Sequence, residues 1–282
     1  MGVLNLTPDS FSDGGRLTNP DAVVVQARRM VHQGAQVLDL GGQSTRPGAT
    51  MVGPDEELRR VLPALEALHP LRSDYPGLLI SIDSFEASVA AAALAHGADW
   101  INDVRGANHS PEAPGCSLRD PAMLPLIARA GCPYVLMHSR GTSQGMDERA
   151  VYDDVLVEVR SELLTATDAA LAAGVQPEQI LWDPGLGFAK TTSQNLELLR
   201  RLPQLIQGEP GQPDLPYPVV VGPSRKRFIG AVLHEPRPRS RLWGTAAVCA
   251  LAVASGARVL RVHDVGPITQ VARMTNAIMA GT

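Results

Sequence analysis

The chain is predicted to be an α/β protein, a (β/α)8 barrel that forms a single domain over residues 1–282. Three observations predict it. Short β-rich runs alternate eight times with segments of helical character. Glycines recur where a helical segment hands over to the next strand, at Gly34, Gly97, Gly131, Gly174 and Gly256, each suited to a left-handed helix cap. Hydrophobic residues make up 44% of the chain and aromatics only 4%, so Ala, Val, Leu and Ile must fill the core, as suits helices packed on a parallel sheet.

The elements follow in order. MGVLNL opens the chain as a strand and leads into the polar loop TPDSFSDGGR at 7–16, then a helix over 20–34. QVLDLGG, the loop GGQSTRPGAT at 41–50 and a helix over 54–69 form the second unit. LLISIDS precedes a helix at 86–96, DWINDV one at 121–130, and YVLMHS one at 150–173. ILWDPG leads to a helix at 193–206, VVVGPS to one at 239–255, and RVLRVHDV to one at 267–280. His32 and His96, just before two of the joint glycines, suit carbonyl capping at helix ends. A doubly wound dinucleotide fold is excluded in detail. No GxGxxG follows the first strand, and GPSRKRFIG at 222–230 has neither that spacing nor a Walker loop's.

Composition removes several classes of partner. The formal net charge is -4 and the longest basic run is SRKR at 224–227, so no nucleic-acid footprint is present, although a small anion still fits. The apolar start is shorter than a signal peptide's and lacks its basic flank, and no apolar run reaches the roughly 18 residues of a membrane helix. Cys116, Cys132 and Cys249 are odd in number and widely spaced, which predicts a reducing, cytoplasmic compartment.

A barrel builds its site at the C-terminal ends of its strands. Those positions hold Asn5, Asp39, Asp83, Asn102 with Asp103, His138, Asp183, Ser224 with Lys226, and Arg261 with His263. Carboxylates and amides from several strands suit the edge of a planar, nitrogen-rich heterocycle, and Asp83 is placed to stabilise positive charge developing on a substrate. Arg46, Lys226, Arg261 and His263 supply the opposite charge. With Ser224 expected to N-cap a helix beside Lys226, they form an anion site suited to phosphate or pyrophosphate. Asn5 offers an oxygen suited to Mg²⁺, which takes few protein ligands when phosphates and water complete its shell. The loops at 7–16 and 41–50 have the composition of lids that close over a charged substrate.

MGVLNLTPDSFSDGG, LGGQSTRPGA, SIDS, INDV, LMHSRG, DPGLGFAKT, GPSRKRFIG and RVHDV occur in the order found in the dihydropteroate synthases of folate biosynthesis, a pterin-binding barrel family that the chain resembles over nearly its whole length. The resemblance implies a transferase that condenses 6-hydroxymethyl-7,8-dihydropterin diphosphate with 4-aminobenzoate. The products are 7,8-dihydropteroate and pyrophosphate, formed by an SN1-like step through a pterin methyl cation. It also implies that Asp83, Asn102, Asp183 and Lys226 hold the pterin, with Met137 against its face, and that Asn5 binds Mg²⁺ with the diphosphate. Arg261 and His263 would meet the diphosphate oxygens, while Thr45, Arg46, Pro47, Phe188 and Lys190 would form the 4-aminobenzoate pocket, where sulfonamides would compete. Asp83, Lys226 and Asp183 are the implied catalytic set, and His138 is given no catalytic role. A homodimer through 239–255 and 267–280 is implied, as is a lead-in of several residues before Met1 in other members.

Three positions depart from the family pattern. Gln43 replaces Glu, which removes a charge and any ion pair it made; Arg227 replaces a Ser that follows the Lys in many members; and VRGANHSPEAPGCSLRDP at 104–121 is expected to be a lengthened loop after the fourth strand. A non-catalytic pterin-binding homologue is the alternative. A methyltetrahydrofolate-dependent methyltransferase barrel is a more distant one, since it has no pyrophosphate for Arg261 and His263 to meet.

Overall fold

A computed structural model describes residues 1–7, 19–45, 48–109, 118–207 and 217–281. Arg46, Pro47, Cys116, the loop at 7–16 beyond Thr7 and the middle of the segment at 104–121 lie outside the described residues. Strands and helices alternate as β1 (Gly2–Asn5), α1 (Pro20–His32), β2 (Val37–Gly41), α2 (Pro54–Asp74), β3 (Leu79–Asp83), α3 (Ala87–Ala95), β4 (Trp100–His109), α4 (Met123–Ala130) and β5 (Tyr134–Arg140). They continue as α5 (Val155–Ala172), β6 (Ile180–Asp183), α6 (Thr192–Arg200), α7 (Leu202–Gln207), β7 (Val220–Val221), α8 (Arg227–Leu233), α9 (Leu242–Ala254), β8 (Val259–Leu260) and α10 (Val265–Ala280).

All neighbouring pairs are parallel: β1 to β6 form one sheet in chain order and β7 pairs with β8. Two single bridges join these sheets into a ring. Trp182 on β6 pairs with Val219 ahead of β7, and Gly2 on β1 pairs with Val262 beyond β8. The β8 to β1 seam is held by Val3 N–H donating to Val262 O at 3.0 Å and Val262 N–H donating to Met1 O at 3.0 Å. The predicted barrel therefore closes.

Strand alternation divides the packing. Leu38, Leu40, Ile80, Ile82, Ile101 and Leu136 face the helices in the main core with Leu65, Leu68 and Ile127. Val135, one step out of phase with Tyr134 and Leu136, packs instead with Leu181 and Val220 in a small separate cluster, the apolar filling of the ring itself. The five joint glycines all adopt positive φ, between 67° and 102°. His96 Nδ1 lies 2.8 Å from Ala92 O at the end of α3, the capping expected there, while His32 contacts the Tyr75 hydroxyl. Among the described residues no helix is long and apolar enough to cross a membrane.

Two local expectations are corrected. β4 does not end at Val104: a register shift between Asp103 and Ala107 lets the strand resume and pair Ala107, Asn108 and His109 with His138, Ser139 and Arg140 of β5. Small residues at Gly106 and Ala107 permit this, since a Cβ on Gly106 would fall 2.9 Å from the Leu136 side chain. The helix expected over 193–206 is divided into α6 and α7, with Pro203 at the second position of the latter.

Gln43 compensates for the Glu that its family resemblance leads one to expect. Its Oε1 accepts from Val52 N–H at 2.9 Å and its Nε2 donates to Glu57 Oε2 at 3.3 Å, so one amide ties both ends of the second loop to the first turn of α2. A carboxylate at 43 would face Glu57 with like charge. Glu57 is fully buried, and burial pushes its pKa up to about 7 despite the hydrogen bonds it accepts. Between the ordinary glutamate value and about 7 the folded state keeps a proton that the unfolded state releases, so this group's contribution to stability declines as pH rises. Glu57→Gln is expected to remove a pH-dependent loss of roughly 3 kcal/mol between pH 5 and pH 8. Urea midpoints at the two pH values check it; equal pH-dependence in both proteins would refute it.

Candidate active site

Strand register assembles the first layer. Asn5 pairs with Gly41, Gly41 with Asp83, and Asp83 with Asn102, so these four residues lie on one line across β1 to β4 at the strands' C-terminal ends. Asp39, two residues before Gly41, points to the same face one layer deeper. On the other side Met137 of β5 pairs with Asp183 of β6. Lys226 follows β7, while Arg261 and His263 follow β8. A cleft of about 290 Å³ opens over this end of the ring and is lined by Asn5, Thr45, Asp83, Phe188, Lys226, Arg261 and His263, together with Ser224 and Arg227.

Arg261 spans two carboxylates. Its Nε donates to Asp39 Oδ2 at 2.6 Å and its Nη2 to Asp83 Oδ2 at 2.5 Å, while Asn102 Nδ2 lies 3.4 Å from the same Asp39 oxygen. Asp39 is fully buried and Asp83 nearly so. The second oxygen of each, Oδ1, has no hydrogen-bond partner among the described residues. Buried carboxylate oxygens are rarely left unpaired, and of these two aspartates Asp83 lines the cleft while Asp39 lies beneath it. Burial raises the Asp83 pKa, Arg261 opposes the rise, and Asp39 and Asp103 add to it.

Asp183 is buried and its Oδ1 accepts from Gly185 N–H at 2.8 Å. Burial raises its pKa against the pull of Lys226, and burial lowers that of Lys226 to about 8 against the pull of Asp183. Lys226 Nζ donates to Leu186 O and sits 4.6 Å from the centre of the Phe188 ring. Opposite, the Ser224 hydroxyl accepts from His263 N–H at 3.1 Å and lies 2.9 Å from His263 Nδ1; His263 Nε2 is 3.3 Å from Asn5 Nδ2.

Several expected positions differ in role. Ser224 does not N-cap α8: Lys226 occupies the cap position, the helix begins at Arg227, and the Ser224 hydroxyl serves His263. A seven-residue helix provides no anion site of the kind expected, which leaves side chains to do that work. Lys190 does not line the cleft with Phe188. It is buried, and its Nζ donates to His138 Nδ1 at 2.8 Å and to the carbonyls of Phe188 at 3.0 Å and Gly185 at 3.1 Å. Met137 lies beneath the site in a cluster with Phe85 and Val104, against which Phe188 packs. Arg227 is exposed and paired with Asp147 at 2.7 Å. Asp39 was visible as a strand-end carboxylate but carried no role; its place in phase with Gly41 in QVLDLGG was the available signal.

A model of the family described as pterin binding enzyme matches residues 1–263. The dihydropteroate synthase of Synechocystis sp. is 45% identical over 99% of this chain and 89% of its own length. Among solved structures, the Yersinia pestis dihydropteroate synthase with a sulfonamide drug complex is similar at a TM-score of 0.87 and 35% identity, covering 100% of this chain and 94% of that one. The Xanthomonas albilineans dihydropteroate synthase with 4-aminobenzoic acid is similar at a TM-score of 0.84 and 41% identity, covering 99% of this chain and 92% of that one. With the barrel closed and the carboxylate, amide and cation layers converging on one cleft, the chain belongs to the pterin-binding enzyme family and, within it, to the dihydropteroate synthases.

Proposed function

We propose that this protein condenses 6-hydroxymethyl-7,8-dihydropterin diphosphate with 4-aminobenzoate to give 7,8-dihydropteroate and pyrophosphate. The observation that carries this reading is a cleft large enough for a bicyclic ring in which Asp83, one of whose buried oxygens has no partner among the described residues, shares the lining with the cations Lys226 and Arg261, with Asp39 buried beneath. Pterin presents N–H donors along one edge, and Asp83, Asp183 and Asn102 are the acceptors and donors available to it. The C–O bond of the hydroxymethyl diphosphate breaks with its electrons leaving on pyrophosphate. The amine nitrogen of 4-aminobenzoate then bonds to the methylene carbon and loses a proton to solvent. Both separating charges need partners. Asp83 faces the developing cation, while Arg261, His263 and Lys226 favour the departing anion. Arg261 is held by Asp39 and Asp83, which keeps its guanidinium beside the cleft that a diphosphate would enter.

Mg²⁺ suits the donor set around Asn5. Among the described residues no group of three or more His, Cys, Asp or Glu side chains is placed to cage a metal, whereas Asn5 lines the cleft with a hard amide group. When bound there with the substrate diphosphate, the ion would neutralise leaving-group charge. Phe188 and Thr45 bound the side of the cleft suited to the aromatic ring of 4-aminobenzoate, the same place where sulfonamides would compete. A homodimer is supported by exposed apolar side chains on the C-terminal helices, Trp243 and Leu251 on α9 and Met274, Ile278 and Met279 on α10. The unpaired, buried thiols of Cys132 and Cys249 suit a reducing, cytoplasmic setting.

Purified protein with Mg²⁺ and both substrates is expected to form dihydropteroate and to release pyrophosphate; absence of product at high enzyme concentration would refute the activity, and would favour the non-catalytic alternative if pterin still bound. Asp83→Asn is expected to lower kcat by about 10²-fold or more while changing 4-aminobenzoate affinity little, because the cation loses its carboxylate. Unchanged kcat would remove that role. Lys226→Ala is expected to weaken pterin diphosphate binding by about tenfold, read by titration calorimetry, and unaltered affinity would show that its amine acts elsewhere.

A further inference from the structure

The segment from Asp183 to Lys190 forms a wall of the cleft through Gly187 and Phe188, yet it is not a regular element. Apart from Asp183, which accepts from Gly185 N–H, and Lys226, which donates to Leu186 O, it is held by side chains that do not line the cleft. Tyr152 donates to Ala189 O at 3.0 Å, Asn195 accepts from Gly187 N–H at 2.7 Å and donates to Lys190 O at 3.1 Å, and Lys190 Nζ bridges the carbonyls of Gly185 and Phe188. Ala189 has φ 47°, an uncommon conformation for a residue with a Cβ, so the turn that directs Phe188 one way and Lys190 the other persists only if it is held. Gly185 is pressed against the underlying strand: a Cβ there would lie 1.8 Å from His138 O.

Beneath Lys190 lies a buried polar cluster. His138 Nδ1 accepts a hydrogen bond from Lys190 Nζ, so its Nε2 carries the ring hydrogen and donates to Glu162 Oε2 at 2.9 Å. Burial and the adjacent Lys190 depress the His138 pKa to about 3, which keeps the ring neutral and able to accept. Glu162 also takes the Arg140 guanidinium, whose Cζ lies 3.8 Å from the centre of the Tyr152 ring. Burial resists ionisation of Glu162, but the bonds from His138 and Arg140 prevail and hold it at about 2.

We infer that Lys190 is a positioning residue for 4-aminobenzoate recognition: oriented by His138 and Glu162, it clamps the Gly185 and Phe188 carbonyls and so fixes the Phe188 ring as a wall of the cleft, without touching the substrate itself. The inference rests on the proposed synthase reaction. It replaces the direct contact that the family resemblance implies for Lys190. Asp83 and Asn102 belong to other strands, and Asp183 and Lys226 meet the loop at Gly185 N–H and Leu186 O rather than at the carbonyls that Lys190 holds, so the pterin side of the cleft depends less on this clamp.

Lys190→Met keeps the stem and removes the donor. In the full-length protein it is expected to raise KM for 4-aminobenzoate by about tenfold or more, with kcat and KM for the pterin diphosphate changed less than about threefold. In a Phe188→Leu background the same substitution is expected to add less than about twofold, because the wall it positions is already gone. Additive losses in the double variant would show that Lys190 meets the substrate directly, and equal losses in kcat and both KM values would show a merely structural role; either overturns the inference. If Lys190→Met does not fold, Lys190→Gln, which can satisfy one carbonyl, is expected to show the same selective rise in KM, and its absence is equally decisive. The unsubstituted protein assayed in parallel separates the two readings: no turnover there refutes the synthase activity, whereas turnover there with a non-selective variant refutes the role of Lys190 alone.

Discussion

Arg261 reaches from the end of β8 across the mouth of the ring and divides its guanidinium between Asp39 on β2 and Asp83 on β3. Two carboxylates brought this close inside a protein repel one another and lose hydration, so each would resist ionisation without a shared cation. One guanidinium offers separate N–H groups to each, and the fork geometry suits it to this task better than a lysine ammonium. The same contact links the last strand to the second and third, across the seam where β8 meets β1 through a single bridge. It leaves one oxygen on each aspartate without a partner among the described residues, and Asp83 lines the cleft. One guanidinium therefore both offsets the charge of the two carboxylates and ties the end of the last strand to the second and third.

A second constraint is the path of the chain after β6. Eight consecutive residues cross from the end of β6 to α6 with a left-handed alanine among them, and their carbonyls are answered by Lys226 from above and by Lys190, Tyr152 and Asn195 from below. Lys226 and Lys190 thus grip the same loop from opposite sides. One amine remains at the cleft, beside Asp183 and over Phe188, and the other is spent on the backbone. Their distinct roles follow from their partners: Lys226 lines the cleft, whereas Lys190 is buried against His138.

Much of the fold was legible because its signals are local. Eight apolar runs, amphipathic helices and the joint glycines each reflect a backbone preference that acts over a few residues, and they predicted the alternation that the structure shows. Strand ends were legible for the same reason, and barrels place their sites there. What escaped depends on contacts far apart in sequence. The extension of β4 to His109 is stabilised by β5, the serine expected to cap α8 is claimed by His263 from the next strand, and Lys190 is captured by His138 some fifty residues earlier. Gln43 was visible as a departure, but its value as a staple between Val52 and Glu57 emerged only from the packing of α2.

The sequence by itself determined the barrel, the order of its units, the family and the inventory of carboxylates, amides and cations at the strand ends. Hydrophobic period and motif order are properties of the chain that survive without coordinates. Tertiary structure decided which of those groups face one another: register aligned Asn5, Asp83 and Asn102, two-residue alternation brought Asp39 beneath them, and ring closure carried Arg261 to the aspartates more than 170 residues before it. The physical reason is that a buried charge takes its role from its nearest partners, and those partners are chosen by the closure of the ring rather than by neighbours in the chain.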